Sequence, residues 1–165
     1  MNLFIDCEFN GFQGELISMA LVDEQGNYFY EVLRCAHPTP WVTGHVMTVL
    51  NKSPIERSSF QQKLAAFLSS YRVANIIADW PEDLSHFCNM LISGAGRRLV
   101  TPPLSMALCT DVQFQSRIPH NALEDARALA VAYTQKRVPT LLPKPAPGMS
   151  VQEYAGGKPG QQYNG

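Results

Sequence analysis

Hydrophobic and polar residues alternate with a period of two along the first part of the chain, as they do in β-strands that have one buried face. This alternation predicts strands at 3–9 (LFIDCEF), 15–23 (ELISMALVD) and 27–33 (NYFYEVL). The link EQG between the second and third strands is typical of a tight turn. We therefore expect an antiparallel meander of three strands.

After residue 40 the apolar residues recur every three or four positions, which is the spacing of amphipathic helices. Short apolar runs of the kind that form buried strands lie between these helices. For the helix at 55–72, Ser53 is the expected cap and Pro54 the expected first-turn residue. The predicted elements are a short helix at 41–50, the helix at 55–72, a strand at 75–80, a helix at 83–94 closed by Gly94, a strand at 104–112 and a helix at 121–137.

This order, a β-meander followed by α-β-α-β-α, predicts an α/β domain at 1–137 with a mixed five-stranded sheet flanked by helices. Residues 138–165 are dense in Pro and Gly and have no periodic pattern, so we expect an extended C-terminal tail.

Composition limits the class of protein. With 165 residues, 45% of them hydrophobic, the chain has enough apolar material for one compact domain. Thirteen basic and fourteen acidic residues give a net charge of −1, which excludes nucleic-acid binding by a strongly basic surface. The four cysteines form no C-x-x-C pair, and no run of apolar residues is long enough to span a membrane. We expect a cytoplasmic protein without a membrane partner.

Two carboxylates interrupt the first strand. Asp6 and Glu8 are two positions apart, so they share one face of that strand, opposite Leu3, Ile5 and Cys7. Neighbouring carboxylates near a core are costly unless something compensates them. The strand face that carries Asp6 and Glu8 is therefore either exposed to solvent or part of a metal site.

Further candidate residues lie where predicted strands end and helices begin. Singly, Asp83 fits a helix cap, Asp125 a solvated helix acid and His120 a surface histidine. Together with Asp6 and Glu8 they can meet at one edge of the sheet. A set of carboxylates offers only hard oxygen ligands, which favours Mg²⁺ or Mn²⁺, and two such ions about 3.5–4 Å apart are a common device for phosphodiester hydrolysis.

Asp-x-Glu in IDCEF, an acid after ADW, and H-x-A-L-x-D-A in HNALEDA resemble, in order and separation, the motifs of the DEDD exonucleases with a catalytic histidine. The likeness spans residues 3–137. DCEF followed by ELIS, and W-V-x-x-H-V at 41–46, are more similar still to a compact branch of bacterial and phage 3′-5′ exoribonucleases.

The resemblance implies a ribonuclease-H-like fold and removal of nucleoside 5′-monophosphates from the 3′ end of single-stranded RNA or 3′ overhangs, with short DNA as a further substrate. It assigns two Mg²⁺ or Mn²⁺ ions to Asp6, Glu8, Asp83 and Asp125, and the role of general base to His120. Imidazole suits that role because it titrates near neutral pH. Many members of the superfamily are dimeric, so a homodimer is compatible with it.

Two residues depart from the superfamily pattern. Phe9 stands where a Thr or Ser is usual, so it offers either a stacking surface or core packing instead of a hydroxyl. Asp79 stands where an Asn is common and competes with Asp83 as a ligand, although we favour Asp83. For Asp111, a cap or turn role is preferred.

Trp41 and His45 are candidate substrate contacts, with an aromatic anchor and a polar helix residue as the structural alternatives. Two other functions remain open from the sequence. One is a catalytically silent nucleic-acid-binding or protein-interaction module, and the other is a phosphodiesterase for nucleotides or dinucleotides.

Overall fold

The computed structural model describes residues 1–137, which form a five-stranded mixed sheet with helices on both faces. The strand order in the sheet is β3-β2-β1-β4-β7, and β5 and β6 form a separate hairpin. The predicted α/β class and the five-stranded mixed sheet are confirmed, and the predicted tail lies outside the described residues. The strands are β1 Asn2–Phe9, β2 Leu16–Asp23, β3 Tyr28–Val32, β4 Ala74–Ala78, β5 Ile92–Gly94, β6 Arg97–Arg98 and β7 Leu104–Leu108; the helices are α1 Pro40–His45, α2 Arg57–Leu68, α3 Pro81–Leu91 and α4 Ala122–Arg137.

Strand β1 is the centre of the sheet. It pairs antiparallel with β2 and parallel with β4, and β4 in turn pairs parallel with β7. The predicted meander of the first three strands is confirmed by the antiparallel pairing of β2 with β3. The carboxyl ends of β1 and β4 therefore point the same way, towards one edge of the sheet.

The two faces of the sheet bury different helices. Leu3, Ile5 and Cys7 face a core that includes Phe60 of α2 and Phe87 of α3. The opposite face packs against apolar residues of α1 and α4, among them Val42, Ala122 and Ala126. Phe4, between Leu3 and Ile5, contacts the α4 side together with Ile77 and Leu129. The period of two in β1 thus separates the two cores as predicted.

The start of α2 differs from the prediction. The helix begins at Arg57 after Glu56, which makes no side-chain capping bond, so the predicted cap at Ser53 and the predicted first-turn position of Pro54 are both wrong. Ile55 instead continues the edge of the sheet: its N–H donates to the carbonyl of Val32 at 2.8 Å, and it forms a parallel bridge with Leu33. Because residue 55 is held in an extended conformation, the helix starts only after it.

The end of α3 also differs. The helix stops at Leu91, and Gly94 is a strand residue, so the predicted end at Gly94 is wrong. The side-chain amide of Gln61 donates to the carbonyls of Met90 and Ile92 at 2.9 and 2.8 Å, which satisfies acceptors that a longer helix would have bonded internally. A hairpin of β5 and β6 follows, which was not predicted from the sequence.

Other elements also end earlier than predicted: α2 ends at Leu68 rather than at residue 72, and β4 ends at Ala78 rather than at residue 80. The helix α1 ends at His45 rather than at residue 50, and β7 ends at Leu108 rather than at residue 112. No helix within residues 1–137 combines the length and the apolar character that crossing a bilayer requires.

Phe60 tests the packing of the α2 side of the sheet. It is fully buried, and its ring meets that of Phe29 edge-on with centroids 5.2 Å apart. We expect Phe60→Ala to lower the free energy of unfolding by about 3–5 kcal/mol, because it leaves a cavity in the core. The matched control is Phe12→Ala, since Phe12 is 80% exposed and its loss should change stability by less than ~0.5 kcal/mol. Urea unfolding followed by circular dichroism measures both, and equal losses would contradict this packing.

Candidate metal centre

Strand β1 places its two carboxylates on the face of the sheet that carries α4. Asp6 pairs in register with Ala20 of β2, and Glu8 pairs with Ser18. Glu8 is almost fully buried, whereas Asp6 is partly accessible. The register shifts directly after Glu8, between Glu8 and Phe9, so the strand is regular up to its second acid and irregular beyond it.

The end of β4 and the start of α3 supply two more carboxylates. Asp79 follows the last residue of β4, and Asp83 is the third residue of α3 and only 2% exposed. The backbone N–H of Cys7 donates to Oδ1 of Asp83 at 3.2 Å. A hydrogen bond from the central strand therefore sets the position of Asp83 beside β1.

The start of α4 carries Asp125 and His120. The side chain of Asn121 caps this helix by accepting the N–H of Glu124 at 3.2 Å. Asp125 turns back towards the helix start, where its Oδ2 accepts the backbone N–H of His120 at 3.0 Å. His120 has a φ of +65°, a left-handed conformation that non-glycine residues adopt infrequently. The backbone at His120 is thus held in a strained conformation by the carboxylate next to it.

These segments bring five carboxylates together as two groups that share Asp6. One group is Asp6, Glu8 and Asp125, and the other is Asp6, Asp79 and Asp83. In each group one oxygen from every residue lies within 4.8 Å of the others. The four acids expected from the sequence are all present, and Asp79 joins Asp83 in one group instead of replacing it.

No lysine or arginine within residues 1–136 forms an ion pair with any of these five carboxylates. Glu31 is a buried acid outside these two groups, and unlike them it has cationic partners. Its carboxylate is paired with Lys52 at 3.1 Å and Lys63 at 2.8 Å. The charge around Asp6 therefore has no compensation of that kind from the described protein.

The pKa values of the cluster reflect this lack of compensation. Burial raises the pKa of Glu8 from its usual 4.5 to about 8, and the neighbouring charge of Asp125 adds to the effect. Burial and the charge of Asp79 likewise raise the pKa of Asp83 from 3.8 to about 8. The pKa of Asp6 is raised by burial first and then by the surrounding carboxylates. The protein alone thus favours protonated acids at this site.

The donor atoms fit divalent cations that prefer oxygen. Oδ2 of Asp6, Oδ1 of Asp79 and Oδ2 of Asp83 are buried and have no hydrogen-bond partner among the described residues. Cys7 is the nearby sulfur, but burial raises the pKa of its thiol well above the usual value, so it stays protonated. An all-carboxylate set of this kind suits Mg²⁺ or Mn²⁺ rather than Zn²⁺.

An aromatic group lies beside the centre. The ring of Trp41 stacks on His45 with centroids 4.6 Å apart, and it meets His120 edge-on at 4.9 Å. Nδ1 of His45 is 2.8 Å from the carbonyl of Trp41, which holds the two rings in this arrangement. Trp41 and His45, expected to be near the site, are thus brought next to the histidine at the start of α4.

Phe9 and Asp111 lie elsewhere. The ring of Phe9 packs on the side of α2 and α3, with its centroid 5.2 Å from that of His86, so it takes the packing alternative and faces away from Asp6. Asp111 is exposed, belongs to neither group of carboxylates and pairs with Lys136.

The turn at 10–14 and the hydrogen bonds that it makes to two other segments were not predicted from the sequence. The side-chain amide of Asn10 donates to the carbonyl of His37 at 2.9 Å, and its oxygen accepts the N–H of Thr39 at 2.8 Å. On the other side of the turn, the N–H of Gln13 donates to Glu82, next to Asp83, at 2.8 Å. The turn therefore links the segment before α1 to the first turn of α3. The N-G pair at residues 10 and 11 was the available signal.

The chain matches no protein-family model and no curated protein. The geometry of the carboxylate centre, rather than a relative, therefore carries the argument about function.

The raised pKa values predict a pH dependence of stability in the absence of divalent ions. Glu8 and Asp83 titrate near 8 in the folded chain and near 4 when unfolded. Between these values the folded state binds more protons, so the stability that protonation provides is lost as the pH rises from about 4 to about 8. We expect the Tm in EDTA to fall by roughly 5 °C or more over this range.

Mn²⁺ should reverse that fall, because cations replace the protons as the compensating charge. Differential scanning calorimetry at pH 6 and pH 9, in EDTA and in Mn²⁺, checks both effects. A Tm in EDTA that rises with pH would contradict the assignment of these raised pKa values.

Proposed function

We propose that the protein is a metal-dependent 3′-5′ exonuclease with a ribonuclease-H-like domain. The observation that carries the proposal is the sharing of Asp6 by two groups of three carboxylates, neither of which pairs with a lysine or arginine in the described part of the chain. A carboxylate shared in this way suits two adjacent divalent ions. The order of the motifs along the chain resembles that of the DEDD exonucleases and supports the choice of reaction.

The topology also supports the proposed fold family. A central β1 lies between an antiparallel meander and two parallel strands, and helices cover both faces of the sheet. The ligand residues come from the central strand, from the end of β4 with α3, and from α4. This is the arrangement expected if the motifs were inherited together with a ribonuclease-H-like sheet.

Asp6, Glu8 and Asp125 would hold one ion, and Asp6, Asp79 and Asp83 the other. When bound, Mg²⁺ or Mn²⁺ would supply Lewis acidity and neutralise charge on the phosphate and on the carboxylates. His120 is the proposed general base, which takes the proton from the attacking water. The hydrogen bond from its backbone N–H to Asp125 and the contact of its ring with Trp41 hold it at the edge of the centre. Proton transfer to a positioned histidine typically contributes 10²- to 10⁴-fold to the rate.

The substrate is proposed to be single-stranded RNA or a 3′ overhang, with short DNA as a further substrate and nucleoside 5′-monophosphates as products. Trp41 is exposed beside His120 and offers a ring on which a base can stack. A site held together by ions and base stacking agrees with a chain whose net charge is only −1. We place this activity in the cytoplasm.

Digestion of 3′-blocked oligonucleotides tests the reaction. A 5′-labelled RNA with a free 3′ hydroxyl should shorten one nucleotide at a time in Mn²⁺, because attack begins at that end. The same RNA ending in a 3′ phosphate or an inverted base should resist digestion. Gel electrophoresis of matched RNA and DNA strands gives the products, and equal cleavage of free and blocked ends would exclude an exonuclease.

Asp6→Asn tests the shared ligand. Removing one charge from both groups should lower kcat by at least about 10³-fold, since both ions lose a ligand. At pH 9, where the acids of the cluster are ionised, it should also raise the Tm in EDTA, because the repulsion within the cluster falls. Asp111→Asn is the matched control: it changes an exposed carboxylate outside both groups and should leave activity and Mn²⁺ binding intact. Calorimetric Mn²⁺ titration alongside the kinetics would refute the assignment if Asp6→Asn bound both ions normally.

A further inference from the structure

Both tryptophans of the chain are about half exposed, and each is linked to one of the two groups of carboxylates. Trp41 is 52% exposed and Trp80 is 53% exposed. The ring of Trp41 contacts that of His120, and the backbone N–H of His120 donates a hydrogen bond to Asp125 of the first group. Trp80 directly follows Asp79 of the second group. Trp41 is thus linked to the first group by a ring contact with His120, and Trp80 is linked to the second by its place in the chain and by its bond to Glu82, the neighbour of Asp83.

The indole of Trp80 is held in place by polar contacts rather than by burial. Its Nε1–H donates to one carboxylate oxygen of Glu82 at 3.1 Å, and the other oxygen of Glu82 accepts the N–H of Gln13 at 2.8 Å. The backbone of Trp80 is extended, as expected for a residue that precedes a proline. The ring is thus oriented before any ligand arrives, which lowers the entropic cost of stacking on it.

The faces of this indole carry no aromatic neighbour among residues 1–137. Trp41, by contrast, has one face stacked on His45. A tryptophan that serves only as an anchor buries its ring and leaves its nitrogen to find a partner. The nitrogen of Trp80 also has a partner, but about half of the residue's surface is open to solvent, so burial does not account for the position of the ring.

We infer that Trp80 is a base-stacking surface for a second, unpaired nucleotide, distinct from the nucleotide that Trp41 serves. The inference rests on the proposed exonuclease function and specifies its substrate as a single strand of two or more nucleotides. Every base has a flat face, so such stacking tolerates sequence but requires that the base be free of a duplex. Glu82 is then a positioning residue, which acts through Trp80.

Trp80→Ala and Trp80→Phe test this role on a single-stranded pentanucleotide in Mn²⁺. Trp80→Ala should raise KM roughly 10- to 100-fold and leave kcat within about twofold, because stacking contributes to binding of the strand. Trp80→Phe should recover most of the loss. Glu82→Ala should raise KM less than Trp80→Ala does, whereas Glu82→Gln should retain an acceptor for the indole and stay near wild type.

Abasic substrates separate stacking from a general effect on the fold. In the wild type, removing one base near the 3′ end should raise KM, and the same removal should have no further effect in Trp80→Ala. Tyr28→Ala is the matched control, since Tyr28 is 51% exposed on β3 but contacts Arg127, away from the carboxylates. It should leave every KM unchanged. Additive effects at every abasic position, or an unchanged KM in Trp80→Ala, would overturn the inference.

Binding of the same oligonucleotides by fluorescence anisotropy, with Ca²⁺ in place of Mn²⁺, separates the two proposals. Coupling between Trp80 and one base without any hydrolysis in Mn²⁺ would support the stacking surface and refute the exonuclease. Hydrolysis without such coupling would refute the stacking surface alone.

Discussion

Repulsion among five carboxylates at the end of β1 is the interaction that the surrounding structure has to withstand. When ionised, these side chains carry five negative charges at one edge of the sheet, and two divalent cations would balance four of them. β1 resists this repulsion because it is hydrogen-bonded to strands on both sides. The acids outside the strand have ties of their own: Asp83 accepts from Cys7, and Asp125 accepts from His120. A rigid frame of this kind keeps ligands in position while they repel one another.

Elements with a clear local pattern could be predicted from the sequence. The alternation in β1 put Asp6 and Glu8 on one face and Leu3, Ile5 and Cys7 on the other, and the structure has this separation. The errors arose where a distant residue decides the local outcome. Gln61 ends α3 at Leu91 through hydrogen bonds from another helix, and no pattern inside α3 shows that.

In the candidate site too, features set by local position could be predicted, and features set by distant contacts could not. Its main acids could be chosen because strand ends and helix starts meet at a sheet edge. In the prediction from sequence, Asp79 and Asp83 were alternative metal ligands, because spacing along the chain cannot show that both side chains lie close to Asp6. Trp80 carried no periodic signal, and its orientation depends on Glu82. Contacts across the turn at 10–14 were likewise outside what local spacing can reveal.

The distribution of the ligands along the chain has a consequence for folding. Asp6 lies in the first strand and Asp125 in the last described helix, so the group they form with Glu8 exists only when both ends of the domain are in place. A bound ion would join these ends much as a covalent cross-link does, and its release would accompany the detachment of α4. An incompletely folded chain would lack the complete centre. Under the proposed function, hydrolytic capacity would then arise only at the last stage of assembly.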